Sequence, residues 1–331
     1  MTALRAAVIG CGAISGNHLK NIPAAGGTVC ALCDPDRAAA EKRAAEFGLS
    51  VPIYADFAAL LEQEKPDVVH ICTPHYLHAE MIVAALEQGI HVLCEKPLAI
   101  REAQLRTVLE AERKSTAKLG VCLQNRYEAN FLKLKDYADH GVLGAAGTVI
   151  WDRDAAYYAS GAWRGKWATE GGGVMINQAL HTLDLLQWLC GMPTHVTAHC
   201  ANDLHQGVIE VEDTASAVFE TETGRFNFFA TTACGASFPA QVQLRTARKE
   251  TVIASGKCLT VNGQVESGEA EAADGKAVWG SGHRKLIDHF YRCLQSGEKF
   301  PIDGPEAAKV VRLVLAMYRS EGERIKIEQE E

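Results

Sequence analysis

The sequence predicts a two-domain α/β protein, in which a parallel sheet covered by helices precedes an α+β domain built on a mainly antiparallel sheet. Its 331 residues exceed what one compact core usually holds, and 47% hydrophobic with 22% charged residues is typical of folded globular proteins. From Leu4 to Leu123, short apolar runs alternate with helical segments, which is the pattern of a parallel sheet. Beyond Leu123, apolar and polar residues alternate, as they do in antiparallel strands.

In the first domain, five apolar runs predict strands over residues 5–9, 28–33, 67–72, 90–94 and 119–123. Helices predicted over 36–47 and 79–88 each end just before a glycine, Gly48 and Gly89. Glycine is the residue that most readily takes the left-handed conformation of a helix C-cap. We therefore assign residues 1–123 to the first domain.

In the second domain, residues 124–331, alternation around Ala217 and around Phe228 predicts two antiparallel strands with Gly224 in the turn between them. Residues 241–255 add strand-like sequence. Helices are predicted over 285–295 and 305–320, the latter opening with a proline in its first turn.

Composition and charge exclude several kinds of partner. The formal net charge is −8, and lysines and arginines are spread along the chain without a basic run that could follow a phosphate backbone. We expect no nucleic-acid partner. The sequence contains no apolar run of about 18 residues and no secretion signal at its start, so we expect no membrane partner and a cytoplasmic location.

The eleven cysteines are scattered and do not form the closely spaced, even-numbered set of a disulfide framework. Cys30 and Cys33 lie in an apolar strand-like run, where residues three apart point to opposite faces, so we interpret them as core thiols. His195 and His199 share one face of a predicted strand without a further ligand set. We therefore predict no metal site.

The turn after the first strand reads Gly10-Cys11-Gly12-Ala13-Ile14-Ser15, which is a dinucleotide fingerprint with Ser in the third small-residue slot. Glycines there permit a tight turn and close approach of a pyrophosphate. The predicted cofactor contacts in this turn are Gly10, Gly12, Ala13 and Ile14.

Asp34 ends the second strand, 24 residues after Gly10, where an acidic residue often binds the adenosine ribose hydroxyls. Alternatively, Asp34 followed by Pro35 is the N-cap of the next helix, and one residue can do both. A carboxylate at this place would repel a 2′-phosphate and so favours NAD over NADP, whereas the nearby Arg37 argues for NADP.

Two segments, Thr73-Pro74-His75-Tyr76-Leu77-His78 and His91-Val92-Leu93-Cys94-Glu95-Lys96-Pro97-Leu98-Ala99, resemble the glucose-fructose oxidoreductase and inositol dehydrogenase (Gfo/Idh/MocA) family. The resemblance continues through three glycines at 171–173 to His181 and Asp184. It implies a Rossmann domain followed by an α+β domain with an open-faced sheet, which binds substrate and forms oligomers. It also implies activity on sugars, cyclitols or sugar nucleotides.

Glu95 and Lys96 follow a parallel strand, at the edge where such sheets bind ligands. They could instead be an exposed charged pair before Pro97. The resemblance implies that Glu95 contacts the nicotinamide half of the cofactor and that Lys96 meets both the ribose and a substrate hydroxyl. It also places a further set beside the cofactor: Thr73, Pro74, His75, where many relatives have Asn, and His78.

A helix predicted over 174–190 carries Asn177, His181 and Asp184 on one face of an otherwise apolar surface. A hydrogen-bonded core histidine would give the same pattern, but the resemblance favours an active site. Many relatives have Asp at position 177, and Asn cannot hold a proton. We therefore assign the general base to His181, a second proton-transfer role to Lys96, substrate positioning to Asn177, and orientation of His181 to Asp184.

Aromatic and basic residues before the three glycines are suited to covering a sugar and binding an anion, although a packed loop with solvated charges is equally consistent. The substrate-site candidates are Arg126, Tyr158, Trp163, Arg164, Lys166, Trp167, Asn177 and His181. The stretch resembles sugar-nucleotide and aminouronate oxidoreductases, which implies an anionic pyranose. A neutral cyclitol or aldose is the alternative.

These observations predict an NAD-dependent oxidoreductase that transfers a hydride between the cofactor and a secondary hydroxyl of a sugar-type substrate. Two alternatives remain open: redox-neutral elimination or epimerisation with tightly bound NAD, and a non-catalytic NAD and sugar sensor like the yeast galactose repressor. By resemblance, we expect a homodimer or homotetramer.

Overall fold

A computed structural model describes residues 3–222, 224–267 and 281–328. The chain divides into two compact units. The first contains the described residues of Met1–Tyr127 and Ala272–Ala308, and the second contains those of Glu128–Glu271 and Lys309–Glu331.

The first unit is built on a six-stranded parallel sheet with the strand order β3-β2-β1-β4-β5-β6. Its strands are β1 (Leu4–Ile9), β2 (Gly27–Cys33), β3 (Ile53–Tyr54), β4 (Val68–Ile71), β5 (His91–Cys94) and β6 (Leu119–Val121). The five predicted strands are confirmed to within two residues at each end. The chain runs outward from β1 in one direction and from β4 in the other, so the carboxyl ends of β1 and β4 form the switch point where such sheets bind ligands.

The helices of this unit are α1 (Ser15–Asn21), α2 (Arg37–Glu46), α3 (Phe57–Glu64), α4 (His78–Glu87), α5 (Glu102–Lys114) and α9 (Gly282–Ser296). Gly48 and Gly89, which follow α2 and α4, have φ angles of 62° and 73°, as the C-cap prediction requires.

Helix α9 belongs to the first unit although it comes late in the chain. A Cβ atom on Gly120 would lie 2.8 Å from the ring of Phe290, and one on Gly27 would lie 2.7 Å from the ring of Tyr291. These two glycines therefore make room for aromatic residues of α9. The sequence-based division at residue 123 placed α9 in the second domain, whereas the structure places it in the first unit.

The second unit is built on a nine-stranded sheet with the order β14-β13-β12-β11-β7-β10-β9-β8-β15. Neighbouring strands are antiparallel except for β7 and β10, which are parallel. The strands are β7 (Val142–Ile150), β8 (His195–Ala201), β9 (Thr214–Glu220), β10 (Arg225–Thr231), β11 (Gln241–Thr246), β12 (Thr251–Ser255), β13 (Cys258–Val261), β14 (Gln264–Ser267) and β15 (Ile325–Lys326). The mainly antiparallel sheet is confirmed.

Helices α6 (Ala129–Ala138), α7 (Ala155–Ala159) and α8 (Leu180–Cys190) belong to this unit, as do the residues from Lys309 onward of α10 (Gly304–Ser320). Helix α8 packs closely on β7, because a Cβ atom on Gly147 would lie 2.8 Å from both Leu186 and Thr182. Val218 and Phe229 on neighbouring strands are each 38% exposed. One face of the sheet is thus covered by α8, and part of the sheet remains open.

All eleven cysteines are free thiols, and six of them are buried. Among the helices in the described parts of the chain, none combines the length and apolarity needed to cross a lipid bilayer.

Candidate active site

The glycine-rich turn follows β1 at the switch point of the first sheet. Gly10 has a φ of +85°, and a Cβ atom there would lie 2.7 Å from the carbonyl oxygen of Cys72, so only glycine fits. At Gly12, by contrast, a Cβ atom would meet nothing within 4 Å. The Ser15 hydroxyl donates to the Gly12 carbonyl at 2.7 Å and holds the turn closed. The turn therefore presents open backbone at Gly12.

Asp34 lies at the end of β2 and is bonded to this turn. Its Oδ2 accepts the backbone N–H of Cys11 at 2.8 Å, and its Oδ1 accepts that of Asp36 at 2.9 Å. The N-cap of α2 is Asp36, whose carboxylate accepts the N–H groups of Ala38 and Ala39. The alternative in which Asp34 caps this helix is therefore wrong, because α2 begins two residues later than that alternative requires.

Arg43 on α2 is a contact of the glycine-rich turn that the sequence did not indicate. It donates through Nη2 to the Gly12 carbonyl at 2.7 Å and pairs with Glu46 through Nη1 at 2.7 Å. Arg37, the predicted cation, is 71% exposed along its side chain and pairs with Glu41. The cation nearest this turn is therefore contributed by the other end of α2.

His78 connects the turns that follow β4 and β5. Its ring is fully buried, with Nδ1 2.7 Å from the Pro97 carbonyl oxygen and Nε2 2.9 Å from that of Thr73. Burial lowers the pKa of His78, although both carbonyls favour its protonated form. His75 is also buried and begins a short 3₁₀ helix after Pro74. His78 thus holds the Thr73 turn beside the Glu95–Lys96 turn.

Glu95 is an internal carboxylate rather than part of an exposed charged pair. It is 6% exposed, and its Oε1 accepts Nε2–H groups from His18 and His283, each at 3.0 Å. Burial alone would raise the pKa of Glu95, but the two imidazole hydrogen bonds outweigh it and hold the pKa well below its usual range. Lys96 beside it is partly exposed. The exposed-pair alternative is wrong for Glu95.

Among the described residues, His18, Glu95 and His283 are the one set whose ligand atoms have a metal-like spacing, within 4.8 Å of one another. The hydrogen bonds to Glu95 account for the same contacts. Neither histidine was singled out from the sequence, since each lies far along the chain from Glu95 and only the fold brings them together.

In the second unit, Gly172 lies against Tyr318 and Gly173 lies against Glu212. The Glu212 carboxylate accepts N–H groups from Gly173 at 2.9 Å and Met175 at 3.0 Å, and the Tyr318 hydroxyl at 2.9 Å. Burial raises the pKa of Glu212 to about 7 against the opposing effect of these bonds. A Cβ atom on Gly172 would overlap the Tyr318 hydroxyl. Close packing therefore leaves no room for a side chain at Gly172 or Gly173.

The helix predicted over 174–190 begins only at Leu180. The Ala179 N–H bonds to the Val174 carbonyl at 2.8 Å, five residues back, so the preceding segment is a turn. Asn177 lies in this turn and donates through Nδ2 to Glu170, which is 1% exposed. His181 and the fully buried Asp184 do lie on α8. The prediction that all three share one helix is wrong for Asn177.

Tyr157, which the sequence analysis did not single out, is the centre of a cation and aromatic cluster. The guanidinium groups of Arg164 and Arg153 lie 4.6 and 4.9 Å from its ring centre. Its hydroxyl accepts from Arg164 at 2.7 Å and from Gln178 at 2.9 Å. Tyr158 is 6% exposed, and its hydroxyl shares a hydrogen bond with Thr232.

The remaining candidates are distributed more widely. The Trp163 ring lies 4.6 Å from the Arg164 guanidinium, Lys166 is exposed, and Trp167 is 44% exposed with its ring edge-on to Tyr318. Arg126 belongs to the first unit and pairs there with Glu306 at 2.8 Å. The sequence alone does not show that Arg126 belongs to a different unit from the candidates at 163–167.

The first unit has the strand order, switch point and glycine-rich turn of a dinucleotide-binding Rossmann domain. Residues 4–123 match the model of an oxidoreductase family with an NAD-binding Rossmann fold, and residues 131–247 match the C-terminal domain of the same Gfo/Idh/MocA group. The chain belongs to the Gfo/Idh/MocA family.

Relatives of known activity include D-glucoside 3-dehydrogenase of Escherichia coli K12, which is 32% identical over 51% of this chain and 49% of that protein. D-apiose dehydrogenase of Paraburkholderia graminis is 27% identical over 96% of this chain and 87% of that protein. The chain thus spans about half the length of the first of these relatives and most of the second.

Among solved structures, the WlbA dehydrogenase from Bordetella pertussis, in complex with NADH and UDP-GlcNAcA, is 27% identical. It superposes with a TM-score of 0.86 over 99% of this chain and 100% of that one.

Proposed function

We propose that the protein is an NAD-dependent dehydrogenase that transfers a hydride between the cofactor and a secondary hydroxyl carbon of a sugar, sugar derivative or sugar nucleotide. The observation that carries the proposal is the convergence of Gly10, Asp34, Thr73 and Glu95 at the carboxyl edge of one parallel sheet. Membership of an oxidoreductase family with an NAD-binding fold supports it.

The residues of the first unit fit NAD. Open backbone at Gly12 would allow a pyrophosphate to approach, and the Asp34 carboxylate, at the end of β2, would accept hydrogen bonds from the ribose hydroxyls. A 2′-phosphate would meet the same carboxylate and be repelled, which favours NAD over NADP. Bound NAD supplies the hydride acceptor at its nicotinamide ring.

Proton transfer is assigned to two side chains. His181 is assigned as the general base, and Lys96 as the second group that orients substrate and exchanges a proton. Asn177, an amide that cannot hold a proton, is assigned to substrate positioning, and its nitrogen donates to Glu170. Asp184, buried one turn along α8, orients His181.

The substrate we propose is an anionic pyranose. Arg164, held between the rings of Tyr157 and Trp163, presents a guanidinium suited to a carboxylate or phosphate. The UDP-GlcNAcA bound by the WlbA relative is a sugar acid carrying a diphosphate. Lys166 is exposed and adds positive charge nearby in sequence.

A panel of sugars tests the proposal: UDP-GlcNAcA as the anionic member, with myo-inositol and methyl β-D-glucoside as neutral members. A ligand at 100 times its dissociation constant raises stability by about 2.7 kcal/mol, which thermal unfolding in the presence of NAD detects. Arg164→Ala is expected to abolish stabilisation by UDP-GlcNAcA, and Arg106→Ala, an exposed arginine of α5, is the matched control. Stabilisation by neutral sugars alone, unchanged in Arg164→Ala, would contradict the proposal that the substrate is anionic.

The same panel distinguishes net oxidation from redox-neutral turnover and from binding without turnover. Net oxidation requires added NAD and accumulates NADH. Redox-neutral turnover proceeds with the cofactor that copurifies, which mass spectrometry of the purified protein identifies, and a sensor binds without turnover.

The open part of the second sheet, with Val218 and Phe229 exposed, is the surface we assign to homodimer or homotetramer formation. Light scattering across a concentration series tests this, and a monomer at every concentration would contradict it.

A further inference from the structure

The carbonyl group of Gly12, in the middle of the glycine-rich turn, is held by side chains from two helices. The Ser15 hydroxyl, at the start of α1, donates to its oxygen at 2.7 Å. Nη2 of Arg43, in the last turn of α2, donates to the same oxygen at 2.7 Å. Gly12 is itself exposed, and a Cβ atom there would meet nothing within 4 Å. Packing therefore does not fix the backbone at Gly12, whereas these two hydrogen bonds do.

Fixing this carbonyl also fixes the direction of the next N–H group. The peptide between Gly12 and Ala13 is trans and planar, so its C=O and N–H groups point in opposite directions. Because the oxygen is turned toward Arg43 and Ser15, the Ala13 N–H points away from both side chains. Ala13 is exposed, and none of the residues that the structure describes accepts its N–H. The Ala13 N–H is thus an oriented donor available to a ligand.

The Arg43 guanidinium is itself held in place. Its Nη1 pairs with Glu46, three residues further along α2, at 2.7 Å, and the Arg43 side chain is 16% exposed. A Cβ atom on Gly16 would lie 3.3 Å from the same Nη1, so a glycine at this position lets the guanidinium lie close against the start of α1. A planar guanidinium bonded at both ends is a more rigid anchor than a hydroxyl that rotates about one bond.

We propose that Arg43 is a cofactor-positioning residue, whose bond to the Gly12 carbonyl holds the Ala13 N–H in the direction in which it binds the diphosphate of NAD. The proposal rests on the proposed function, since it assumes that NAD binds at this turn. A backbone N–H that donates to an ionised phosphate forms a charge-assisted hydrogen bond, which is stronger than one between neutral groups. Because the donor is oriented before the ligand arrives, binding does not have to order it. Glycine at position 12 gives the ligand room, and Arg43 supplies the rigidity that glycine lacks.

A positive charge near the turn would also favour a diphosphate, and two variants separate that effect from positioning. Lys42→Met removes the same charge from an exposed neighbour on α2. Ser15→Ala removes the other bond to the Gly12 carbonyl but no charge. Positioning predicts a loss of NADH affinity in Ser15→Ala and none in Lys42→Met, whereas an effect of charge alone predicts no loss in Ser15→Ala.

Fluorescence titration measures the NADH dissociation constant, with competition by ADP-ribose, which contains the diphosphate, and by adenosine, which lacks it. Arg43→Met is expected to raise the dissociation constants of NADH and ADP-ribose by about tenfold, and Ser15→Ala by about threefold, because a hydrogen bond from a charged group contributes more than one from a neutral group. Adenosine affinity is expected to stay unchanged in both variants. Lys42→Met is expected to bind every one of these ligands as wild type does.

Amide NMR of ¹⁵N-labelled protein saturated with ADP-ribose tests the orientation of the Ala13 N–H. In wild type, its exchange with water is expected to slow on binding, since the N–H becomes hydrogen-bonded. Arg43→Met is expected to lose most of this protection although the ligand is bound. A general loss of structure would instead alter amide signals throughout the first unit, so the same spectrum recognises a misfolded variant, and Ser15→Ala then carries the test.

Equal NADH affinity in Arg43→Met and wild type, or equal protection of the Ala13 N–H at saturation, would overturn the positioning role while leaving the NAD site intact. A loss in Arg43→Met with unchanged NADH affinity in Ser15→Ala would assign the effect to charge and also overturn it. So would an equal loss of adenosine affinity in Arg43→Met, which would show a general defect of the unit. If wild type binds neither NADH nor ADP-ribose, the proposed function fails and the role of Arg43 fails with it.

Discussion

The carbonyl oxygen of Glu212 occupies the space that a Cβ atom on Gly173 would need. The same glutamate accepts the Gly173 N–H through its carboxylate. Gly173→Ala is therefore expected to destabilise the protein by about 1–3 kcal/mol, the usual cost of overpacking. Gly144→Ala is the matched control, because a Cβ atom there meets its nearest neighbour at an ordinary 3.7 Å. Chemical unfolding that gave both variants equal stability would contradict this packing.

Stability should fall as pH rises through the range in which Glu212 ionises. Its pKa is about 7 in the folded protein, against 4.5 for an unperturbed glutamate, so the folded state binds the proton more tightly between these values. The stabilisation is present below pH 4.5 and is lost by pH 7 and above, and it amounts to about 3 kcal/mol.

Glu212→Gln removes this titration. The stability of wild type relative to Glu212→Gln is expected to fall by about 3 kcal/mol from pH 4.5 to pH 8. Burial raises the pKa of Glu112 to about 7 as well, but its titration is common to both proteins and cancels in the difference. A difference that stays constant over this range would contradict the raised pKa of Glu212.

Asp34→Asn is expected to relax the preference for NAD. One like-charge pair at about 4 Å costs about 4 kcal/mol at an effective dielectric near 20, so removing the charge should lower the Kd for NADP by at least about tenfold. Asp36→Asn is the matched control, since Asp36 caps α2 and Asn caps equally well. Fluorescence titration with NADH and NADPH measures the dissociation constants of the two cofactors. Unchanged NADPH affinity in Asp34→Asn would show that Asp34 does not contact the ribose.

The parallel sheet of the first unit was predictable because its strands are buried on both faces and therefore read as short apolar runs. The central strand β7 of the second sheet was not predicted. It contains Gly144, Ala145, Ala146 and Gly147, whose small side chains have weak strand preference, and Gly147 is small because α8 packs against it.

The sequence indicates candidate site residues where one motif contains them, and does not indicate contacts between residues far apart in the chain. Gly10 and Asp34 lie in a recognisable pattern: Gly10 follows β1 at the switch point, and Asp34, at the end of the neighbouring β2, is bonded to the same turn. The late start of α8 depends on Glu212, whose carboxylate binds the N–H groups of Gly173 and Met175 from far along the chain. Likewise, no local pattern in the sequence brings His283 to Glu95.

Lys96→Ala and His181→Ala are each expected to lower kcat by about 10²- to 10⁴-fold, the usual loss when a positioned acid or base is removed. Both should keep NADH binding within a few-fold of wild type if they act on protons rather than on the cofactor. Wild-type turnover in both variants, measured on the sugar that wild type oxidises, would show that neither residue transfers the proton.

The most direct test of the central proposal is NADH formation by purified wild-type protein with NAD and each sugar of the panel, followed by absorbance over many turnovers. We expect continuous NADH formation that requires both added NAD and one sugar, with UDP-GlcNAcA faster than myo-inositol or methyl β-D-glucoside. Binding of NAD and of UDP-GlcNAcA without any NADH formation from any sugar would contradict it, and would instead fit redox-neutral turnover on bound NAD or a sensor.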